Sequence, residues 1–244
     1  MFKGQFWTGE GGVPGDFSYG TIHIVSVIVL AALCIVLTAI GLRKDQKGKR
    51  RIILAIAALG LGFEIFWRAV WLAQKADLIE LYPFYPCNLA GIIIPIIAFT
   101  NNRILKELFY FFAFVGGVVT FTIPQGIFTN QYLNFYILKS ILQHYAIVLI
   151  PFFEFFNKTY QPRFKNFYLT IIGMVIHLFN SEFVPKLAFN KYGTDYIFLR
   201  SGLPFVIPGV PGWLTLSVFA IIVVIAAYIL MDFKGFLRAI KRKS

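Results

Sequence analysis

The sequence predicts an all-α, polytopic membrane protein with seven transmembrane helices, its N-terminus outside and its C-terminus inside. Of its 244 residues 58% are hydrophobic and only 14% are charged, whereas soluble domains carry about 25% charged residues. The apolar residues gather into seven runs of a length suited to a bilayer core of roughly 30 Å. Lys and Arg fall in alternate connections, which assigns the two sides of the membrane. Seven spans of roughly 20 residues use well over half the chain. Residues 1–244 are therefore expected to form one domain lying in the bilayer.

The first span is expected over about 21–42, closed by the basic loop Arg43, Lys44, Lys47, Lys49, Arg50 and Arg51. The second covers 52–74. The third covers 84–100 and stops before Arg103 and Lys106. The fourth and fifth cover 105–124 and 137–156, followed by a loop with Lys158, Arg163 and Lys165. The sixth covers 166–184. A long Gly- and Pro-rich stretch then leads to the seventh, 213–231, where Trp213 is an interfacial anchor. The first 20 residues are polar and Gly-rich, and the first apolar run is long enough to span, so no cleavable signal peptide is read.

The odd-numbered connections and the tail Lys234, Arg238, Lys241, Arg242 and Lys243 hold 16 of the 23 Lys and Arg residues. The opposite side has Lys3, Lys75, Lys186, Lys191 and Arg200. Basic residues mark the cytoplasmic face, and the expected location is the cell membrane, multi-pass. The net charge of +12 is thus a topological signal and calls for no nucleic acid, although the tail can also attract anionic headgroups. The expected partners are membrane lipids, with no soluble cofactor. Two cysteines make no disulfide framework. No internal repeat supports an inverted-repeat transporter.

Ionisable and strongly polar residues inside a span cost roughly 2.5–3.5 kcal/mol each on insertion scales and need a partner or a task. Here they are Glu64 and Arg68 in the second span, Cys87 and Asn88 opening the third, His144 in the fifth, and His177 and Asn180 in the sixth. Lys139 and Glu154 lie near span ends, where snorkelling explains them, and His23 is expected at the interface. Measured along the helix from Ile52, Glu64 and Arg68 stand roughly 18 and 24 Å outward, and the other groups also fall in the middle-to-outer half. A common cavity opening outward accounts for that shared depth.

Glu64 and Arg68, spaced i, i+4, can neutralise each other or orient something in the cavity. A lone membrane histidine is more often a packing residue than a catalyst. Cys34, mid-span among apolar residues, reads as inert. Cys87 differs because it follows Pro83 and Pro86 at a helix start, where backbone N–H groups favour a thiolate and can bind an oxyanion. Cysteine plus histidine is the minimum for covalent acyl chemistry. A metal is not expected, since His23, His144 and His177 lie on three helices without ligand spacing. No phosphate loop or nucleophile elbow is present. The outer segment from Glu182 to Gly212 is long for a connection and aromatic from Phe189 to Arg200, and is expected to cap the cavity.

Three stretches in order carry a family resemblance. Tyr82-Pro83-Phe84-Tyr85-Pro86-Cys87-Asn88-Leu89 is similar to P-x-H-L-C-D-L, Gln143-His144-Tyr145 to S-H-G, and Tyr192-Gly193-Thr194-Asp195-Tyr196-Ile197-Phe198 to G-T-N-Y-M-F. They are signatures of the YwaF-like integral membrane proteins, related to a vertebrate membrane acyltransferase acting on ether phospholipids. The resemblance covers most of the chain and implies Cys87 and His144 as a catalytic pair. Tyr85 stands where the family has histidine, and Asn88 where it has an acid, so an orienting carboxylate would come from Glu64 or Asp195.

The expected function is a membrane-embedded lipid acyltransferase or transacylase. Cys87 would be nucleophile and His144 base then acid, with Glu64, Arg68, Asn88, His177, Asn180, Thr194, Asp195 and Tyr196 toward the substrate. An outward-facing site has no supply of cytosolic acyl-CoA, so the acyl donor would be another membrane lipid. The alternative is a non-enzymatic lipid or small-molecule binding or transport protein. Such a path needs polar groups in the inner half, where spans three, four and seven offer almost none. A purely structural role beside another membrane protein finds no distinctive surface in the sequence.

Overall fold

A computed structural model describes residues 5–8, 15–74, 78–124, 126–190 and 212–241. All regular elements among them are helical. They are α1 (Gln5–Thr8), α2 (Thr21–Leu42), α3 (Gln46–Ala73), a 3-10 turn (Leu78–Leu81), α4 (Pro86–Thr100), α5 (Arg103–Thr122) and α6 (Phe135–Phe156). A second 3-10 turn (Phe164–Asn166) leads to α7 (Phe167–Leu178), a π-helical turn (Phe179–Phe183), α8 (Val184–Phe189), α9 (Gly212–Met231) and α10 (Phe233–Lys241). Five helical stretches are long and apolar enough to cross a membrane: Thr21–Leu42, Gln46–Ala73, Arg103–Thr122, Phe135–Phe156 and Phe164–Phe189. Pro86–Thr100 and Val218–Met231 are shorter apolar helices.

Helix starts follow capping chemistry, not the onset of apolar sequence. The Asp45 side chain accepts from the Gly48 N–H at 2.8 Å, so α3 begins at Gln46, six residues before the expected Ile52. Asn134 caps α6 in the same way, accepting from the Ile137 N–H at 3.0 Å. Asn102 accepts from the Ile104 and Leu105 N–H groups ahead of α5. Pro86 opens α4, where its missing N–H costs nothing. The basic loop also has structural work. Arg50 donates to the Ala98 and Phe99 carbonyls at the end of α4, and Lys49 to the Asn157 carbonyl just past α6. Cations there satisfy carbonyls that the helix leaves open and match the negative dipole end.

The chain divides into two compact units. One comprises residues 1–82, 90–101 and 113–160, and the other 83–89, 102–112 and 161–244. In the first, α6 packs against α2 and α3 and is buried along most of its length. Ile137, Ile141, Tyr145, Val148 and Leu149 meet Leu30, Cys34, Phe121 and Phe128. Lipid is as apolar as these side chains, so close van der Waals fit holds the helices, with a few buried hydrogen bonds. The Tyr145 hydroxyl donates to the Ser26 carbonyl at 2.5 Å. Gly91 lets α4 approach the Gln143 side chain, where a Cβ would overlap it.

His23, expected at the interface, is enclosed by protein at the start of α2. It is 3% exposed, with Nδ1 accepting from the Tyr19 N–H and Nε2 donating to the Phe121 carbonyl, both at 2.9 Å. These two bonds fix a neutral tautomer and make it a packing residue. Lys139 and Glu154 are likewise buried, at 7% and 0% exposure, instead of snorkelling. The Lys139 ammonium donates to Gln143 Oε1 at 2.7 Å and lies 4.4 Å from the Trp67 ring centre, so a hydrogen bond and a cation–π contact replace water.

In the second unit α7 packs against α9. Gly173 sets the approach of α7 to the chain at Leu108, whose carbonyl oxygen occupies the space a Cβ would need. Around it lies a polar group the sequence reading passed over. Glu107, 1% exposed, accepts from the Asn166 amide at 3.0 Å, while Thr170 donates to the Glu107 carbonyl at 2.7 Å. The Thr170 proton is committed there, so its oxygen accepts from the Tyr228 hydroxyl at 2.7 Å.

Candidate functional site

Cys87 stands in the first turn of α4. In that turn the Leu89 N–H donates to the Tyr85 carbonyl at 3.1 Å. The approach to this turn is pinned from another element. The Asn180 amide donates to the Pro83 carbonyl at 2.7 Å and reaches the Phe84 carbonyl at 3.5 Å. Asn180 belongs to the π-helical turn that interrupts the sixth apolar segment. Such wide turns are rare and concentrate at functional sites.

His177 lies one turn before Asn180. It is 1% exposed and packs against Phe109 and Phe112, ring centres 5.6 and 5.2 Å away. Among the described residues neither of its ring nitrogens has a hydrogen-bond partner, nor does the buried Ser181 hydroxyl. Buried polar atoms without partners are uncommon in folded proteins and expensive. The second unit thus brings together Asn180, the segment leading to Cys87 and Asn88, and a stretch with two orphaned polar side chains.

His144 belongs to the first unit. It is 2% exposed, and its Nδ1 lies 2.7 Å from the Ser140 carbonyl, one turn back on α6. A carbonyl can only accept, so Nδ1 carries the proton, and in the neutral ring Nε2 holds the lone pair. Glu64 and Arg68, also in this unit, form an ion pair on one face of α3, as their spacing allows. Only one Glu64 oxygen is used there. The other, and the indole N–H groups of Trp67 and Trp71, are buried without partners among the described residues. The two indoles stack at 5.5 Å, and the Arg68 guanidinium lies 5.3 Å from the Trp67 ring centre.

Of the expected cap, residues 182–189 instead continue the helix through the end of the π-helical turn and α8, and residues 191–211, with Thr194, Asp195 and Tyr196, lie outside the described residues. Among the described residues no group of three His, Cys, Asp or Glu side chains is placed to hold a metal ion. The Glu107 group could have been suspected from a carboxylate within the apolar fourth run, but Asn166 and Thr170, which donate to that residue, are 59 and 63 positions away in sequence.

No curated protein and no solved structure matches the chain. A family model described as the TMEM164 family matches residues 18–231. That match takes in all of the apolar helices and both candidate stretches, and the chain belongs to the TMEM164 family of membrane proteins.

Proposed function

We propose that this protein is a seven-span membrane enzyme, N-terminus outside, that moves acyl chains between membrane lipids with Cys87 as nucleophile. The observation that carries the reading is the Asn180–Pro83 hydrogen bond, which fixes the approach to a cysteine in the first turn of a helix. Five long apolar helices and two shorter ones at the expected positions support the span count. The YwaF-like resemblance supports the chemistry.

The reaction is redox-neutral and balanced. The Cys87 thiol gives its proton to an imidazole, and the thiolate attacks a lipid ester carbonyl. The C–S bond forms, the C–O bond breaks, and the departing lysolipid oxygen takes the proton back. A second lysolipid hydroxyl then attacks the thioester, and the thiol is restored. Backbone N–H groups at the start of α4 are the oxyanion donors of this scheme. Glu64, Arg68, Asn88, Asn180, Thr194, Asp195 and Tyr196 are its substrate-positioning residues. The resemblance gives the base role to His144, whose lone pair on Nε2 suits it. A second reading assigns that role to His177, because both its nitrogens lack partners among the described residues and it shares a unit with Cys87.

The test is lipid mass spectrometry on purified protein in micelles of phospholipid and isotopically marked lysophospholipid. Wild type should move acyl chains, Cys87→Ala should not, and His144→Gln or His177→Gln identifies the base by which one removes transfer. Free fatty acid without transfer would mean water is the acceptor. Unchanged lipids with folded wild type would replace the enzyme with a lipid-binding or transport protein.

A further inference from the structure

A cavity of about 590 Å³ lies away from Cys87, within the second unit, lined by Gln161, Arg163, Lys165, Met231, Asp232 and Arg238 among others. Its volume is in the range of small-molecule sites. Its frame is fixed. Asp232 accepts from the Phe164 and Gly235 N–H groups, each at 3.0 Å, and so joins the turn before α7 to the start of α10. Phe236 of α10 packs edge-on against Phe164, ring centres 5.1 Å apart. Both Asp232 oxygens are therefore engaged by backbone, while three cations face the same space, and the lining carries a net two positive charges.

The helix beside the cavity indicates where it sits. In α10, Phe233 and Leu237 are 55% and 41% exposed, while Lys234 and Arg238 share the other flank one turn apart. A helix apolar on one flank and basic on the other lies in the plane of the membrane surface. It follows the apolar α9 directly, an order that would set the cavity at headgroup level. We propose that this cavity binds the phosphate of an anionic phospholipid headgroup, with Arg163, Lys165 and Arg238 as its cationic ligands. The inference is independent of the acyl-transfer reading, since none of these residues belongs to it.

The experiment is native mass spectrometry of the full chain in neutral detergent, titrated with phosphatidylglycerol or phosphatidylcholine. The comparison is between wild type, the double variant Arg163→Gln/Arg238→Gln and the exposed-loop variant Lys44→Gln/Lys47→Gln. Wild type should retain phosphatidylglycerol over phosphatidylcholine. Retention should fall roughly fivefold per cation removed from the cavity, and remain unchanged in the loop variant. Equal loss in both variants would overturn the site in favour of general surface attraction, and so would equal retention of the two lipids by wild type. Inorganic phosphate is the second arm. If it displaces the lipid at submillimolar concentration, the site is for free phosphate and the headgroup assignment fails. Should the double variant not fold, Lys165→Gln and the wild-type competition carry the same decision.

Discussion

The Asn180 side-chain amide donates to the Pro83 carbonyl at 2.7 Å and thereby ties the π-helical turn to the chain four residues ahead of Cys87. Removing the donor leaves a part-buried carbonyl without its amide partner. Asn180→Ala should destabilise by about 1–3 kcal/mol. Asn180→Asp should do no better, because an ionised carboxylate has no hydrogen to offer and faces the carbonyl with like charge. Melting in detergent reads the stability. Acyl transfer measured well below the melting temperature reads the placement of Cys87. A variant with wild-type melting and wild-type rate would remove the hydrogen bond from the argument.

The buried Glu107 group makes a graded series. Tyr228→Phe removes one hydroxyl from a residue of 0% exposure, yet leaves Thr170 its bond to the Glu107 carbonyl. The expected loss is about 0.5–1.5 kcal/mol, or a melting decrease of roughly 2–4 °C per kcal/mol for a chain of this size. Glu107→Leu should cost more, since it deprives the Asn166 amide of its acceptor and Arg103 of its counter-charge. Equal melting of Glu107→Leu and wild type would mean that hydrophobic replacement compensates fully, as happens for some buried polar groups.

Two glycines predict opposite tolerances. At Gly173 a methyl group would run into the Leu108 carbonyl, a backbone atom that moves only if α7 moves with it. At Gly91 the obstacle is the Gln143 side chain, which can turn aside at the expense of its bond to Lys139. Gly173→Ala should therefore cost about 1–3 kcal/mol or more, and Gly91→Ala measurably less. Reversal of that order in a detergent melt would show that helix packing at Leu108 is looser than the close approach implies.

Composition made the helical membrane class legible, and the apolar runs located the helices, because insertion into hydrocarbon depends on residue type alone. The boundaries were less legible. Asp45 moves the start of α3 six residues earlier than Ile52 through a three-residue side-chain bond that hydropathy cannot register. The Glu64–Arg68 pair was readable because both partners share one helix. The roles of His23, Lys139 and Glu107 were not, since each depends on an acceptor, ring or amide from a distant segment. Likewise, the basic loop read correctly as charge but hid the helix caps that Arg50 and Lys49 provide. Chain order records identity and spacing, whereas these contacts exist only after helices from remote parts of the sequence have packed.

The two cysteines give the most direct discrimination. Cys34 is 8% exposed within the apolar cluster around Leu30, Phe121 and Tyr145, while Cys87 is half-buried at a helix start. Alkylation needs both a thiolate and access, and burial in an apolar cluster denies Cys34 both. A water-soluble maleimide applied to the folded protein should therefore add once, at Cys87, by intact mass and peptide mapping. Cys34→Ala should keep that adduct and the full rate of acyl transfer, and Cys87→Ala should lose both. Small-residue replacement in the apolar cluster should cost Cys34→Ala at most about 1 kcal/mol, so its folding is not in question. An adduct on Cys34 instead, or transfer that persists in Cys87→Ala, would take the nucleophile away from α4 and with it the proposed chemistry.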